Sequence, residues 1–273
     1  MPNDRRLERE AAKRRKHRRG QAIAALSSVV ILGGLATLIL TSPGWPEVRE
    51  TFFNWEVFKD SFPDVAKAFW LDVKIFIVAE LAILVVGLIV ALVRISRSPA
   101  TFPLRALSVI YVDVFRGVPT ILLVFLIGFG VPALRLDGLP TDPVVLGAIA
   151  LILSYSAYVA EVYRAGVNSV HRGQRDAALA VGLTETQAMR HVVLPQAVRR
   201  VSPPLLNDFV ALQKDVALIS ILGPLEAFRE AQIIEAQLFN FTPLVAAALL
   251  YLAVTIPTAR IVDRLGGPEG AVR

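Results

Sequence analysis

The sequence predicts an all-α integral membrane protein with six transmembrane helices and a structured cytoplasmic loop. Three observations predict it: a strongly apolar composition, uncharged stretches of bilayer-spanning length, and arginines gathered in alternate loops. The chain has 273 residues, of which 55% are hydrophobic and 19% charged, with a mean hydropathy of +0.57. Soluble domains carry nearer to about 25% charged residues. Cysteine is absent, which excludes disulfides, iron–sulfur clusters and thiolate zinc sites. The three histidines (His17, His171 and His191) lie far apart or on basic segments, so no metal site is expected.

The distribution of charge excludes a nucleic-acid binder. Residues 1–20 hold nine Lys/Arg against three Asp/Glu, so the whole formal excess of +6 sits in this tail and the rest is balanced. A nucleic-acid interface needs its basic footprint on the folded part. A basic tail beside an apolar stretch reads as a cytoplasmic anchor under the positive-inside rule.

The spans follow in order. Ala22–Leu40 carries no charge and no proline, close to the roughly 20 residues a spanning helix needs. It is longer than the apolar region of a signal peptide, and Leu40-Thr41-Ser42-Pro43 is a poor cleavage site, so a retained helix is expected. Val73–Val93 is the second span; it holds Glu80, and Lys74 near its end can snorkel. Val118–Leu134, Val144–Ala160 and Ala236–Ala259 carry no charge. Val201–Leu225 contains Asp208, Lys214 and Asp215, each costing about 2.5–3.5 kcal/mol at mid-depth on the insertion scale. Loop charge argues for it as a span nonetheless. With the N-terminus inside, the arginine-rich loops 94–117 and 161–200 are cytoplasmic, the acidic loop 224–235 is outside, and both termini are cytoplasmic. Residues 42–70, with Pro43, Pro46 and Pro63, read as an extracytoplasmic linker or short helical cap, and 266–273 as a cytoplasmic tail.

Loop 161–200 is too long for a plain connection. Gln174–Val181 is predicted helical from its alanines, and Gly182 ends that helix. Thr184 and Gln187 fit a capping box for a second helix running to about His191 or Val193, before Pro195. Such a hairpin, with Ala177, Ala178, Val181, Leu183 and Met189 on its apolar face, serves either as a docking element for another protein or as a membrane-surface helix pair.

A resemblance decides between the two. Asp176-Ala177-Ala178, then Gly182, Val192 and Leu194-Pro195, keeps the full spacing of the Glu-Ala-Ala loop motif of membrane subunits of ATP-binding-cassette (ABC) importers, with Asp for Glu and Val for Ile. Tyr111–Pro119, Ala157–Glu161 with Arg164-Ala165-Gly166, Leu194–Arg199 and Lys214–Ser220 resemble four further elements of the polar amino-acid permeases. The chain is thus similar, over residues 64–265, to the histidine/glutamine/glutamate/arginine permease group. It departs from the group at Ser154-Tyr155-Ser156, where Asn-Ser-Gly is common, and at Leu123, where Gln is common.

The resemblance implies a five-helix type I importer core over residues 71–265, preceded by an additional helix at 21–41. It implies a permease subunit in a bacterial cytoplasmic membrane that carries a polar amino acid of glutamate/glutamine type and is not itself an enzyme. ATP and magnesium belong to the partner ATPase, and this sequence has no Gly-x-x-x-x-Gly-Lys-Ser/Thr phosphate loop. The implied partners are two ATP-binding-cassette subunits, a second permease chain and an extracytoplasmic amino-acid-binding protein. The loop residues implied to couple to the ATPase are Asp176, Ala177, Ala178, Gly182, Leu183, Leu194 and Pro195. Polar groups within spans are path candidates by default: Glu80, Ser154, Ser156, Tyr158, Lys214 and Asp215. The competing reading is a membrane scaffold or sensor whose loop docks a different cytoplasmic protein.

Overall fold

The computed structural model describes residues 2–96 and 98–265, and the described residues form helices joined by turns. The predicted tail 266–273 lies outside them. Two units separate, Met1–Asn54 and Trp55–Arg273.

The first unit holds helix α1 (Pro2–Leu40) and the short α2 (Trp45–Phe52). The apolar part of α1, Arg19–Leu40, has hydropathy 2.4 and buries none of its surface within the protein. Its hydroxyls are closed off locally. Ser28 donates to the Ala24 carbonyl at 2.8 Å, Thr37 to Gly33 at 2.8 Å and Thr41 to Thr37 at 2.7 Å. These bonds satisfy the three hydroxyls within the helix itself, where in a bilayer each unsatisfied polar group would cost several kcal/mol.

The second unit begins with α3 (Trp55–Ile95), 41 residues long. The expected linker is therefore shorter than 42–70: residues 55–70 are the front of the first core helix. Pro63 does not interrupt it. Ile75, Ala79, Ile83, Gly87 and Ala91 recur every fourth residue and form its buried stripe. Lys74 extends over the Trp70 ring, 5.9 Å from its centroid, and so keeps its ammonium at the edge of the apolar stretch. The next helices are α4 (Phe102–Gly117) and α5 (Thr120–Ala133), bent by 106° at the Val118–Pro119 break. The predicted third span, Val118–Leu134, corresponds to α5 alone, and the bend lies at its start. Fourteen residues of α5 reach only about 21 Å, short of a hydrocarbon core of roughly 30 Å.

The centre of the unit is α6 (Pro143–Ser169), against which α3, α4, α5 and α9 all pack. Asp142 caps it, accepting from Val144 N–H at 2.8 Å and Val145 N–H at 3.0 Å. Pro143 at the first position sacrifices no bond. Ser154–Ala157, Val159 and Ala160 are all buried, so the middle of α6 is enclosed nearly all round. Gly87 permits the closest approach of α3: a Cβ there would sit 2.6 Å from Val159 Cγ1. Helix α6 runs to Ser169, nine residues beyond the predicted span end, so the loop between spans is shorter than 161–200.

Then come α7 (Arg172–Ala180), α8 (Glu185–Ala188), a π turn over Met189–Val193, α9 (Leu194–Asp215) and a 3-10 turn over Val216–Leu222. The chain closes with α10 (Ala227–Leu238) and α11 (Thr242–Leu265). Phe239, in left-handed backbone at φ 51°, ends α10, so the last span begins at Thr242 and not at Ala236. By length and composition, four helices among the described residues can cross a membrane, or five if the bent α4–α5 pair counts as one span. The predicted span 201–225 is not among them: α9 carries Asn207, Asp208, Gln213, Lys214 and Asp215, and the remainder of that stretch is the 3-10 turn. Leu212, Val216 and Ile219 nevertheless join Ile75, Ile83 and Leu151 in the main core cluster.

Candidate functional site

The connection from Val170 to Val193 is a built element. His171 starts α7, its Nδ1 accepting from Gly173 N–H at 3.1 Å. Gly182, at φ +90°, reverses the chain with nothing within 4 Å of where a Cβ would stand. The predicted capping box forms: Gln187 N–H donates to Thr184 Oγ1 at 3.3 Å and Thr184 N–H to Gln187 Oε1 at 2.9 Å. Arg175 ties the two helices together, donating to Glu185 through Nε at 2.9 Å and Nη2 at 2.7 Å. The second helix does not stop before Pro195. The wider π turn leads directly into α9, whose first turn accommodates the missing proline N–H.

Burial divides the predicted loop residues. Ala178 is buried and Leu183 half-buried, and these hold the hairpin together. Asp176, Ala177, Gly182, Leu194 and Pro195 are exposed, and Val181 is 79% exposed. The hairpin seats on the body through Val170, Val193 and Ala197, and through Arg200 donating to the Ser169 carbonyl. Above it, Arg94 Nη1 of α3 and Arg164 Nε of α6 share Glu161 at 2.7 and 3.1 Å. This clamps together the ends of the two helices nearest the loop.

The predicted in-span polar residues separate into distinct roles. Ser154 is fully buried and its Oγ lies 3.0 Å from Thr120 Oγ1, joining α5 to α6. Ser156 is fully buried in the same helix. Tyr155 donates to Asp215 Oδ2 at 2.7 Å. Lys214 is exposed and forms no ion pair with Asp215. Tyr158 is 37% exposed, donates to the Arg116 carbonyl at 3.2 Å and lies under the Arg116 guanidinium at 5.4 Å. Glu80 is half-buried and lies within electrostatic reach of Asp208. Asp208 in turn feels Arg116. Asp208 Oδ2 is a buried atom with no hydrogen-bond partner among the described residues. Arg116 of α4 and Tyr158 of α6 thus meet directly, with Asp208 of α9 within electrostatic range of Arg116 and Glu80 of α3 within that of Asp208.

The family described as the binding-protein-dependent transport system inner membrane component matches residues 83–266. The chain belongs to this family. It is a membrane permease component of an ABC importer. The probable amino-acid permease YxeN of Bacillus subtilis is 36% identical over 204 residues, covering 74% of this chain and 90% of that protein. The probable glutamine ABC transporter permease GlnM of Bacillus subtilis is 35% identical over 207 residues, covering 75% and 92%. Among solved structures, an amino acid ABC transporter with histidines is 30% identical, with TM-score 0.68 over 75% of this chain and 93% of that one. The inward-facing MetNI methionine transporter, at 20% identity and TM-score 0.56 over 74% and 95%, shares the fold.

Sequence reasoning missed three features of the permease. Arg116, which carries no path role in the sequence, lies over the Tyr158 ring and within electrostatic range of Asp208. Asp208 was weighed only as a cost of insertion, and its partner-free oxygen becomes visible only once α9 is packed. The third feature lies near the middle of α3, where Asp72 Oδ2 accepts from Ala227 N–H at 3.1 Å. There Glu226 caps α10 through Phe228 N–H at 2.9 Å and Arg229 N–H at 2.6 Å, and Tyr251 of α11 donates to it at 3.3 Å. Burial pushes the Glu226 carboxyl above its ordinary range. The cluster joins α3, α10 and α11 roughly 33 Å along α3 from Arg94, about one hydrocarbon thickness. Glu226 belongs to an acidic loop whose sequence gave no sign of the distant Asp72.

Proposed function

We propose that this permease carries a polar amino acid of glutamate/glutamine type and that its loop 174–195 couples transport to a cytoplasmic ATPase. The single observation that carries the coupling reading is the free edge of the hairpin. Asp176, Ala177 and Val181 project around a glycine turn while Ala178, Leu183 and the Arg175–Glu185 pair hold the element rigid. A rigid element with an exposed apolar edge transmits a push; a loose loop does not. In this reading α7 seats in a groove of an ATP-binding-cassette subunit, and ATP and magnesium act only there. Two such subunits and two permease chains, identical or homologous, form the assembly, and an extracytoplasmic binding protein delivers the amino acid. Closure of the ATPases moves the docked hairpins, and the clamp at Arg94, Glu161 and Arg164 passes that movement to α3 and α6.

The sixth crossing in this reading is α9 with its 3-10 turn. Asp208, Gln213 and Asp215 are tolerated because they turn toward the bundle, where they are half-buried. That count keeps the Arg-rich loops and both termini cytoplasmic, with α1 as a leading helix outside the core. The path runs past Glu80, Asp208, Arg116 and Tyr158, with Asp215 and Lys214 beyond. Arg116 suits the substrate carboxylate and Asp208 its ammonium. A relative named for glutamine at 35% identity supports the substrate class.

Co-purification in mild detergent tests the coupling reading, using the permease expressed beside its neighbouring transport subunits. The wild-type chain is expected to retain an ATP-binding-cassette subunit in stoichiometric amount, and Asp176→Lys to lose it while the helical content stays unchanged. No ATPase with either chain, or equal retention by both, contradicts the reading and favours a scaffold role for the hairpin.

A further inference from the structure

A cavity of about 1180 Å³ opens between the end of α3, the start of α4, the end of α6 and the loop hairpin. Small-molecule pockets run to about 300–1,000 Å³, so the space is generous even for a large polar group. Arg94, Arg105, Arg164, Arg172, Arg175 and Arg190 line it, and the lining carboxylates are only Asp176 and Glu185. Three of the arginines are already engaged: Arg94 and Arg164 by Glu161, Arg175 by Glu185. Among the described residues, Arg105, Arg172 and Arg190 have no carboxylate within salt-bridge distance. His171 adds a fourth nitrogen-bearing side chain to the wall.

Arg105 sits in the first turns of α4, on the same side of that helix as the buried Val112, and the opposite side turns Leu107, Ile110 and Val114 outward, at 63, 59 and 48% exposure. The basic cavity therefore lies at the end of a helix whose outer face is apolar, where a membrane helix meets the head groups. Arginine's planar fork binds phosphate oxygens in pairs, and basic pockets at the ends of membrane helices take anionic head groups.

We propose that this cavity binds a phosphate-bearing anion, the head group of an anionic phospholipid at the membrane surface. The site sits beside the coupling hairpin, so the lipid would brace the hairpin against the ends of α3 and α6. The inference requires the chain to span a bilayer and is independent of which substrate it carries.

Native mass spectrometry of the full-length chain, purified in mild detergent and offered equal amounts of phosphatidylglycerol and phosphatidylcholine, tests it. Retention of phosphatidylglycerol over phosphatidylcholine is expected to be about tenfold or more, from three arginines without a carboxylate partner among the described residues. The triple substitution Arg105→Gln, Arg172→Gln, Arg190→Gln is expected to remove that preference, and lysine at the same three positions to keep most of it. Excess inorganic phosphate distinguishes the sources. If phosphate leaves the phosphatidylglycerol in place, the ligand is the lipid; if it displaces the lipid, the site holds but its ligand is a soluble phosphate. Equal retention of both lipids by the unsubstituted chain overturns the proposal even if the triple variant fails to fold. Unchanged preference in a folded triple variant overturns it too, and leaves the arginines to the acidic surface of a protein partner.

Discussion

Replacing Gly182 by valine is expected to leave the permease inserted and assembled while reducing substrate-stimulated ATP hydrolysis by about tenfold or more. The physical cause is confined to the turn. Gly182 has φ +90° and open space around it, so the new side chain meets no steric clash. Its cost is conformational: a left-handed L-residue costs roughly 1–2 kcal/mol, and β-branching adds to this. The turn relieves that strain by opening, which rotates α7 relative to α8 and pulls against the two Arg175–Glu185 bonds. A misdirected α7 presents Asp176 and Ala177 at the wrong angle to the ATPase. A shift of about 1.4 kcal/mol is already tenfold in an equilibrium. Hydrolysis in reconstituted vesicles, with and without the binding protein and substrate, measures the effect. Stimulation within twofold of the wild type would show that the turn's geometry is irrelevant to coupling.

The second large effect is expected at Asp208. Asparagine has the same shape and hydrogen-bonds through its amide, so Asp208→Asn keeps the packing of α9 against α6. It removes a charge whose Oδ2 lacks a hydrogen-bond partner among the described residues. If that oxygen receives the substrate ammonium, a charge-assisted bond worth about 1.5–3 kcal/mol is lost. Uptake of radiolabelled glutamine into vesicles is then expected to fall by roughly 10–150-fold, while basal ATP hydrolysis continues. The split between the two readouts separates a path residue from a merely structural one. Equal loss of uptake and basal hydrolysis, or uptake within twofold, would remove Asp208 from the path.

Much of the fold was legible because membrane physics is local. Ala22–Leu40 and Val144–Ala160 declared themselves by length and absence of charge, and both are helices. The hairpin was legible for a different reason. Gly182, Thr184 and Gln187 are capping residues whose effect reaches only three or four positions, and their bonds form as expected. What was hidden depended on distant partners. The length of α6 was hidden because Glu161 and Arg164 read as loop charges, whereas both lie on the helix and Arg94, 67 residues away, bonds Glu161. Pro195 read as a stop because the π turn that absorbs it has no sequence signature. Lys214 and Asp215 are adjacent in sequence and so face different directions on a helix; the partner of Asp215 is Tyr155, 60 residues away.

Cross-linking from the free edge of the hairpin tests the central claim most directly. The chain contains no cysteine, so Val181→Cys introduces a single thiol at an exposed position without other substitutions. A photoactivatable maleimide attached there, in membranes that contain the assembled importer, is expected to join the permease to an ATP-binding-cassette subunit, with a yield that changes between nucleotide-free and ATP-bound membranes. Capture of lipid alone, or of a protein without an ATP-binding cassette, would contradict the assignment of residues 174–195 as the element through which ATP drives transport.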